Sequence, residues 1–169
     1  MTLQRKVVLI GPMGAGKTTL GNILAAQFSC KYFDNDYEMT TRYGYSQAEL
    51  SSMPVTDLHA LESRYLSDVL NEEAPFITGA AASVVDYPAN IELLKANTSI
   101  YLRISLEQVL TRVGSAGVGR QALIEGAEKI LTDRYIRRDP LYRAVAALTV
   151  DLTDQPQRDA DYIAQFLIS

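Results

Sequence analysis

The chain has no tryptophan, one cysteine (Cys30) and one histidine (His59) in 169 residues. A lone cysteine closes no internal disulfide, which excludes a disulfide-stapled secreted scaffold and fits a reducing compartment. Positive charge is not in excess: 16 Lys and Arg stand against 20 Asp and Glu, a net −4. Nothing in that balance argues for nucleic acid or an anionic membrane as partner. No apolar run approaches the ~20 residues a membrane span needs. The start, MTLQRKVVLI, passes directly into a strand-like segment with no leader-like stretch. Low-complexity tracts and internal repeats are also lacking. What is there is an ordinary globular balance, 47% hydrophobic against 21% charged, enough for one domain over residues 1–169. A cytoplasmic enzyme or switch is the expectation.

Strand-like and helix-like segments alternate along the chain. Val7–Ile10 reads as a buried strand. Lys17–Phe28 reads as a helix with Leu20, Ile23, Leu24 and Phe28 near one face. KYFDND (31–36) reads as a short strand ending in acids. YEMTTRYG (37–44) reads as a helix closed by Gly44. YSQAEL starts a short helix that Met53-Pro54 breaks. Thr56 is a candidate cap for a longer helix whose Leu58, Leu61, Tyr65 and Leu66 share a face. APFITG reads as a strand feeding the small-residue turn GAAAS. Helices follow at 88–96, after the Ser105 cap and at 121–138, stopping before Asp139-Pro140. Strands follow at SIYLRI and AALTVD, and Pro156 sits near the start of a last helix. GSAGVGR (114–120) reads as a mobile glycine loop. The alternation predicts an α/β fold, a parallel sheet with helices on both faces. Ligands of such sheets bind at the carboxyl ends of the strands. The glycine loop, Asp34 and Asp36, Gly79 and Asp151 all follow predicted strands, so they should share one edge.

The most informative stretch is GPMGAGKTT, Gly11 to Thr19. It satisfies G-x-x-x-x-G-K-[ST] between a strand and a helix. Glycines let backbone N–H groups turn inward around an anion, and the following helix adds its positive end. Lys17 supplies a point charge to the outer phosphates, and the Thr18 hydroxyl can ligate Mg²⁺. Asp34 and Asp36 stand two apart, and strand geometry sends such residues the same way. One can hold Mg²⁺, directly or through water. The other can accept the proton of an acceptor hydroxyl or orient that hydroxyl.

With these residues in place, the sequence resembles the shikimate kinase family over nearly its whole length. The resemblance rests on GPMGAGKTTLG, FDND, ITGAA, a glycine-bearing segment with Arg120, RRDPLYRAVA, and VD with a late Pro156. It implies a three-layer P-loop fold, nucleoside-monophosphate-kinase-like, with a parallel five-stranded sheet. An acceptor-binding segment over about 34–64 and a lid over about 112–121 go with it. It implies ATP and Mg²⁺ as cofactors and phosphoryl transfer to a hydroxyl of a small molecule, shikimate first. Carried over, Gly11, Met13, Gly14, Ala15, Gly16, Lys17, Thr18 and Thr19 bind ATP phosphates, and Thr18 with Asp34 serves the metal. Asp36 contacts the acceptor hydroxyl. Arg120 reaches the transferring phosphate from the lid. Arg112 and Pro156 flank adenine, and Arg138 binds the acceptor carboxylate. A monomer is implied, with no nucleic acid or membrane partner.

Two departures lie on the acceptor side. The family's F-R-x-x-E helix, whose arginine grips the carboxylate, is here Leu58, His59 and Glu62. Exchanging a bidentate guanidinium for imidazole costs about 1.5–3 kcal/mol of binding. His59 is either a weakened acceptor contact or a partly exposed helix residue. Three glycines of the family are here Gly79, Ala80 and Ala81, which narrows the turn and disfavours positive φ. Three alternatives follow: a kinase for another hydroxy acid or polyol, a nucleoside kinase, and a non-catalytic ATP-binding module. FDND and RRDPLY weigh against the second, and the intact Lys17, Asp34 and Asp36 against the third.

Overall fold

Val7 and Leu9 of the first strand face one hydrophobic cluster, and Val8 and Ile10 face another. That period-two split is what a strand buried on both faces requires. The computed structural model describes residues 2–116 and 126–169. In it, β1 (Lys6–Ile10) lies at the centre of a parallel five-stranded sheet with β2 (Lys31–Phe33), β3 (Phe76–Gly79), β4 (Thr98–Arg103) and β5 (Leu148–Asp151). The strand order is β2-β3-β1-β4-β5, all pairs parallel. One face carries α1 (Lys17–Phe28), α6 (Leu106–Ala116) and α8 (Pro156–Ile168). The other carries α4 (Val55–Val69), α5 (Pro88–Ala96) and α7 (Ala127–Val145), with α2 (Asn35–Tyr43) and α3 (Gln47–Ser52) beyond. This is the three-layer arrangement expected from the alternation. No described helix is long and apolar enough to cross a membrane.

Local signals decide several boundaries. Gly44 ends α2 at φ 75°, a conformation that glycine takes without cost. Ser46 and Glu49 form a capping box that opens α3. Ser105 and Gln108 exchange the same reciprocal bonds at the start of α6. Cys30 is half-buried against the core just beyond the end of α1.

Four expectations need correction. β2 stops at Phe33, and Asp34 is the N-cap of α2, so Asp34 and Asp36 do not share a strand face. Their common environment comes from a helix start. Thr56 lies inside α4, whose N-cap is Pro54. The helix expected over 121–138 is α7, which continues to Val145 with Pro140 inside it. Proline removes one helical bond and disfavours helical geometry in Asp139, yet Asp139 is locked there from three sides. Its carboxylate accepts from Tyr101 Oη and Arg103 Nε, both at 2.8 Å, and pairs with Arg143 one turn on. Arg138 and Tyr142, buried on either side of the proline, anchor the segment. Finally, Gly114–Ala116, expected as loop, belong to α6. The rest of the expected lid, with Arg120, lies outside the described residues.

Candidate active site

The loop after β1 is built to turn its amides inward. Gly11, Gly14 and Gly16 all have positive φ. At Gly11 a β-carbon would stand 2.6 Å from the Leu102 carbonyl oxygen, so close approach to β4 as well as φ demands glycine. Gly16 is the N-cap of α1, and no side chain caps its first turn. Those leading N–H groups are therefore available to an anion, at the positive end of the helix. Met13 flanks the loop half-buried, Ala15 is buried, and Thr18 and Thr19 are exposed.

Lys17 bends back over this loop. Its Nζ donates to the carbonyls of Gly11 at 2.8 Å and Pro12 at 2.9 Å. Desolvation holds the ammonium well below the ordinary lysine value, at about 8, against the opposing pull of Asp36, Asp34 and Glu62. An arriving phosphate would supply the missing counter-charge.

The Thr18 hydroxyl donates to Asp34 Oδ2 at 2.6 Å. Asp34 Oδ1 accepts from the amides of Asp36 at 3.0 Å and Tyr37 at 3.2 Å. One carboxyl oxygen thus caps α2 while the other faces the phosphate loop. A hydroxyl and a carboxylate set side by side are the oxygen donors that Mg²⁺ shares with nucleotide phosphates and water. Asp36, in the first turn of α2, is exposed toward the same space.

The turn after β3 lies beside Lys17 of the phosphate loop. Gly79 admits no β-carbon, since one would stand 2.6 Å from Tyr32 Oη. The same tyrosine ring lies against Gly21 of α1, where a β-carbon would stand 2.2 Å from Cε2. Ala80 and Ala81 are not strained. Ala81 has φ −61°, and neither residue is among the positive-φ positions. The Ala80 amide donates to the Leu9 carbonyl at 3.0 Å, so the two methyl groups narrow the turn without distorting it.

Arg138 is buried on α7 and does not stand free. Asp86, at the end of the 3-10 turn Ala82–Asp86, takes its Nε and Nη2 edge, with Nη2 to Oδ2 at 2.6 Å. Arg137 reaches the same carboxylate at 3.3 Å. Glu62 is buried and accepts from Ser83 Oγ at 2.7 Å. The His59 Nδ1 and Tyr87 Oη share a hydrogen bond of 2.7 Å. Burial pushes the imidazole below its ordinary value, so His59 is neutral at physiological pH. Arg112 sits over the phosphate loop, donating from Nη1 to the Gly14 carbonyl at 3.0 Å, with Asp154 nearby. Pro156 opens α8 two residues beyond Asp154.

The structure thus gathers Gly11–Thr19, Asp34, Asp36, Gly79, Ala80, Ala81, His59 and Arg138 around one edge of the sheet. Sequence reasoning missed Asp86 and Tyr32, which act through contacts between distant segments.

Comparisons with known proteins agree with this geometry. The family profile described as shikimate kinase matches residues 13–168. The shikimate kinase of Chromohalobacter salexigens is 33% identical over 146 residues, covering 85% of this chain and 81% of that protein. That of Alteromonas mediterranea is 30% identical over 161 residues, covering 94% and 93%. Among solved structures, shikimate kinase from Acinetobacter baumannii in complex with shikimate superposes with a TM-score of 0.86. It has 27% identity, over 97% of this chain and 93% of that one. A deoxyadenosine kinase from M. mycoides, with TM-score 0.60 and 18% identity, shares the fold.

Proposed function

The chain belongs to the shikimate kinase family, and on that premise we propose that it transfers the γ-phosphate of ATP to a hydroxyl of shikimate, giving shikimate 3-phosphate and ADP. The observation that carries this reading is the shared edge. An inward-turned phosphate loop with Lys17 and the Thr18–Asp34 pair faces a turn and a buried arginine within reach of a small acceptor.

Phosphoryl transfer needs positioning and charge neutralisation more than covalent help. The amides of the loop and of the first turn of α1 hold the phosphates of ATP, and Lys17 takes the outer ones. Thr18 and Asp34 would hold Mg²⁺, which would there neutralise charge on the nucleotide phosphates. Asp36 orients the acceptor hydroxyl and takes its proton. Gly79 leaves room for the Tyr32 hydroxyl beside Lys17, and the turn it opens faces the acceptor. Arg112 and Pro156 flank the adenine, Arg120 contributes from the lid, and Arg138 meets the acceptor carboxylate. The enzyme acts as a cytoplasmic monomer in this reading, which sedimentation and fractionation test.

The deciding experiment is ADP release with ATP and Mg²⁺, with and without shikimate, with mass spectrometry of the product. Shikimate-dependent turnover and a product heavier by one phosphoryl group support the reading. ATP binding without shikimate stimulation refutes it. The pairing of Arg138 with Asp86 favours one runner-up, a polyol with no carboxylate for that arginine to meet. A substrate panel separates the two.

A further inference from the structure

Beside Arg138 runs a narrow cleft, lined by Pro12 and Met13 of the phosphate loop, Ala82, Arg134, Arg138 and Tyr142 among others. The charged residues of its described lining are arginines, with buried Glu62 of α4 acting on Arg138 from the other side. Arg134, Arg137 and Arg138 lie within five residues of α7, and one acid, Asp86, pairs with two of them. Arg134 is half-buried and, among the described residues, has no hydrogen-bond or ion-pair partner. Burial and the charges of Arg138 and Arg137 disfavour its guanidinium, with Asp86 as the opposing influence. A half-buried cation beside two others, left without a partner, marks a place where an anion would be welcome.

Which anion follows from what surrounds it. Arg134 acts electrostatically on His59, on the acceptor side. Lys17, on the nucleotide side, feels Arg138 as its neighbouring arginine. His59 is neutral and its Nδ1 is engaged with Tyr87, so this position of α4 offers no positive charge to the cleft. Asp86 occupies the Nε–Nη2 edge of Arg138 and the Tyr142 hydroxyl acts on the same guanidinium, so Nη1 is the edge turned away from Asp86. Arg134, one helical turn away on the same face, can close on a planar carboxylate together with Nη1.

We propose that Arg134 is a specificity-determining residue that grips the acceptor's carboxylate jointly with the Nη1 edge of Arg138. The inference rests on the shikimate reading above. It moves the second cationic contact from α4 to α7, with Asp86 aiming Arg138 rather than blocking it.

The test is steady-state kinetics of wild type, Arg134→Gln, Arg134→Lys and the double variant Arg134→Gln/His59→Arg, with shikimate and its neutral methyl ester. Arg134→Gln should raise KM for shikimate about tenfold or more, the loss of one charge-assisted contact. KM for ATP should stay within about twofold, and the preference for shikimate over the ester should collapse by a similar factor. Arg134→Lys should recover part of the loss. In the double variant the arginine on α4 should recover most of it, which a merely misfolded protein would not show. A shikimate KM within twofold of wild type in Arg134→Gln overturns the inference and leaves the functional reading standing. An equal rise in KM for ATP assigns Arg134 to the nucleotide phosphates and also overturns it. No shikimate turnover by wild type refutes the functional reading, and the inference falls with it.

Discussion

Lys17 sets a sharp expectation for pH dependence. Its ammonium has a pKa of about 8 rather than 10.5 in the folded, nucleotide-free protein, because burial outweighs the attraction of Asp36, Asp34 and Glu62. About nine-tenths of it is protonated at pH 7 and about one-tenth at pH 9. Only the charged form neutralises an outer phosphate. With ATP as the varied substrate, kcat/KM reports the enzyme before ATP binds. It should therefore bend near pH 8 and fall about tenfold per pH unit beyond. Bound phosphates raise the lysine pKa, so kcat should stay flat well past that point. Lys17→Arg, whose charge does not titrate, should lose the bend whatever its residual rate.

The same shift has a consequence for stability, and its sign is fixed. The folded pKa is lowered, so between pH 8 and pH 10.5 the unfolded chain binds more protons than the native one, and stability rises with pH across that window. At neutral pH the full cost of burying the charge is present, at most about 3 kcal/mol. Lys17→Met should be inactive yet at least as heat-stable as wild type at pH 7, with the difference closing toward pH 10.5. A pH-independent kcat/KM up to pH 10, or a Lys17→Met protein that melts earlier at pH 7, would refute the reasoning.

The double duty of Asp34 can be separated. Asp34→Asn keeps a capping side chain and should hold Tm while weakening Mg²⁺-dependent ATP binding. Asp34→Ala should lose the binding and about 1 kcal/mol of stability, read from urea unfolding. Asp36→Asn should cut kcat by about 10²-fold or more with little change in ATP affinity by calorimetry; a reversed pattern would move Asp36 to the metal. Gly21→Ala should destabilise by about 1–3 kcal/mol, since its methyl meets the Tyr32 ring. Tyr32→Leu in that background should recover part of the loss in thermal unfolding. His59→Arg alone should lower KM for shikimate, and an unchanged value would mean that this position does not face the acceptor.

The phosphate site was legible because its chemistry is local. Gly11, Gly14, Gly16, Lys17 and Thr18 lie within eight residues, and the strand and helix on either side announce themselves by periodicity. The ends of α2 and α3 were legible for the same reason, since Gly44 and the Ser46–Glu49 box act within one turn. The acids were legible as residues but not as geometry. Asp34 and Asp36 look like strand neighbours until β2 is seen to stop at Phe33. The run of α7 through Pro140 was illegible, because Tyr101 and Arg103, which hold Asp139 in the helix, lie on β4 more than thirty residues earlier.

By itself, then, the sequence determined the alternation of elements, the parallel sheet and the place of the phosphate loop. Those follow from side-chain periodicity and from backbone chemistry within a few residues. Tertiary structure decided how Arg138 is aimed, through an aspartate 52 residues away. It also decided that His59 is neutral and tied to Tyr87, that Tyr32 wedges between Gly21 and Gly79, and that Arg134 lines the cleft beside Arg138. Each of these depends on desolvation and pairing between segments that only the folded sheet brings together.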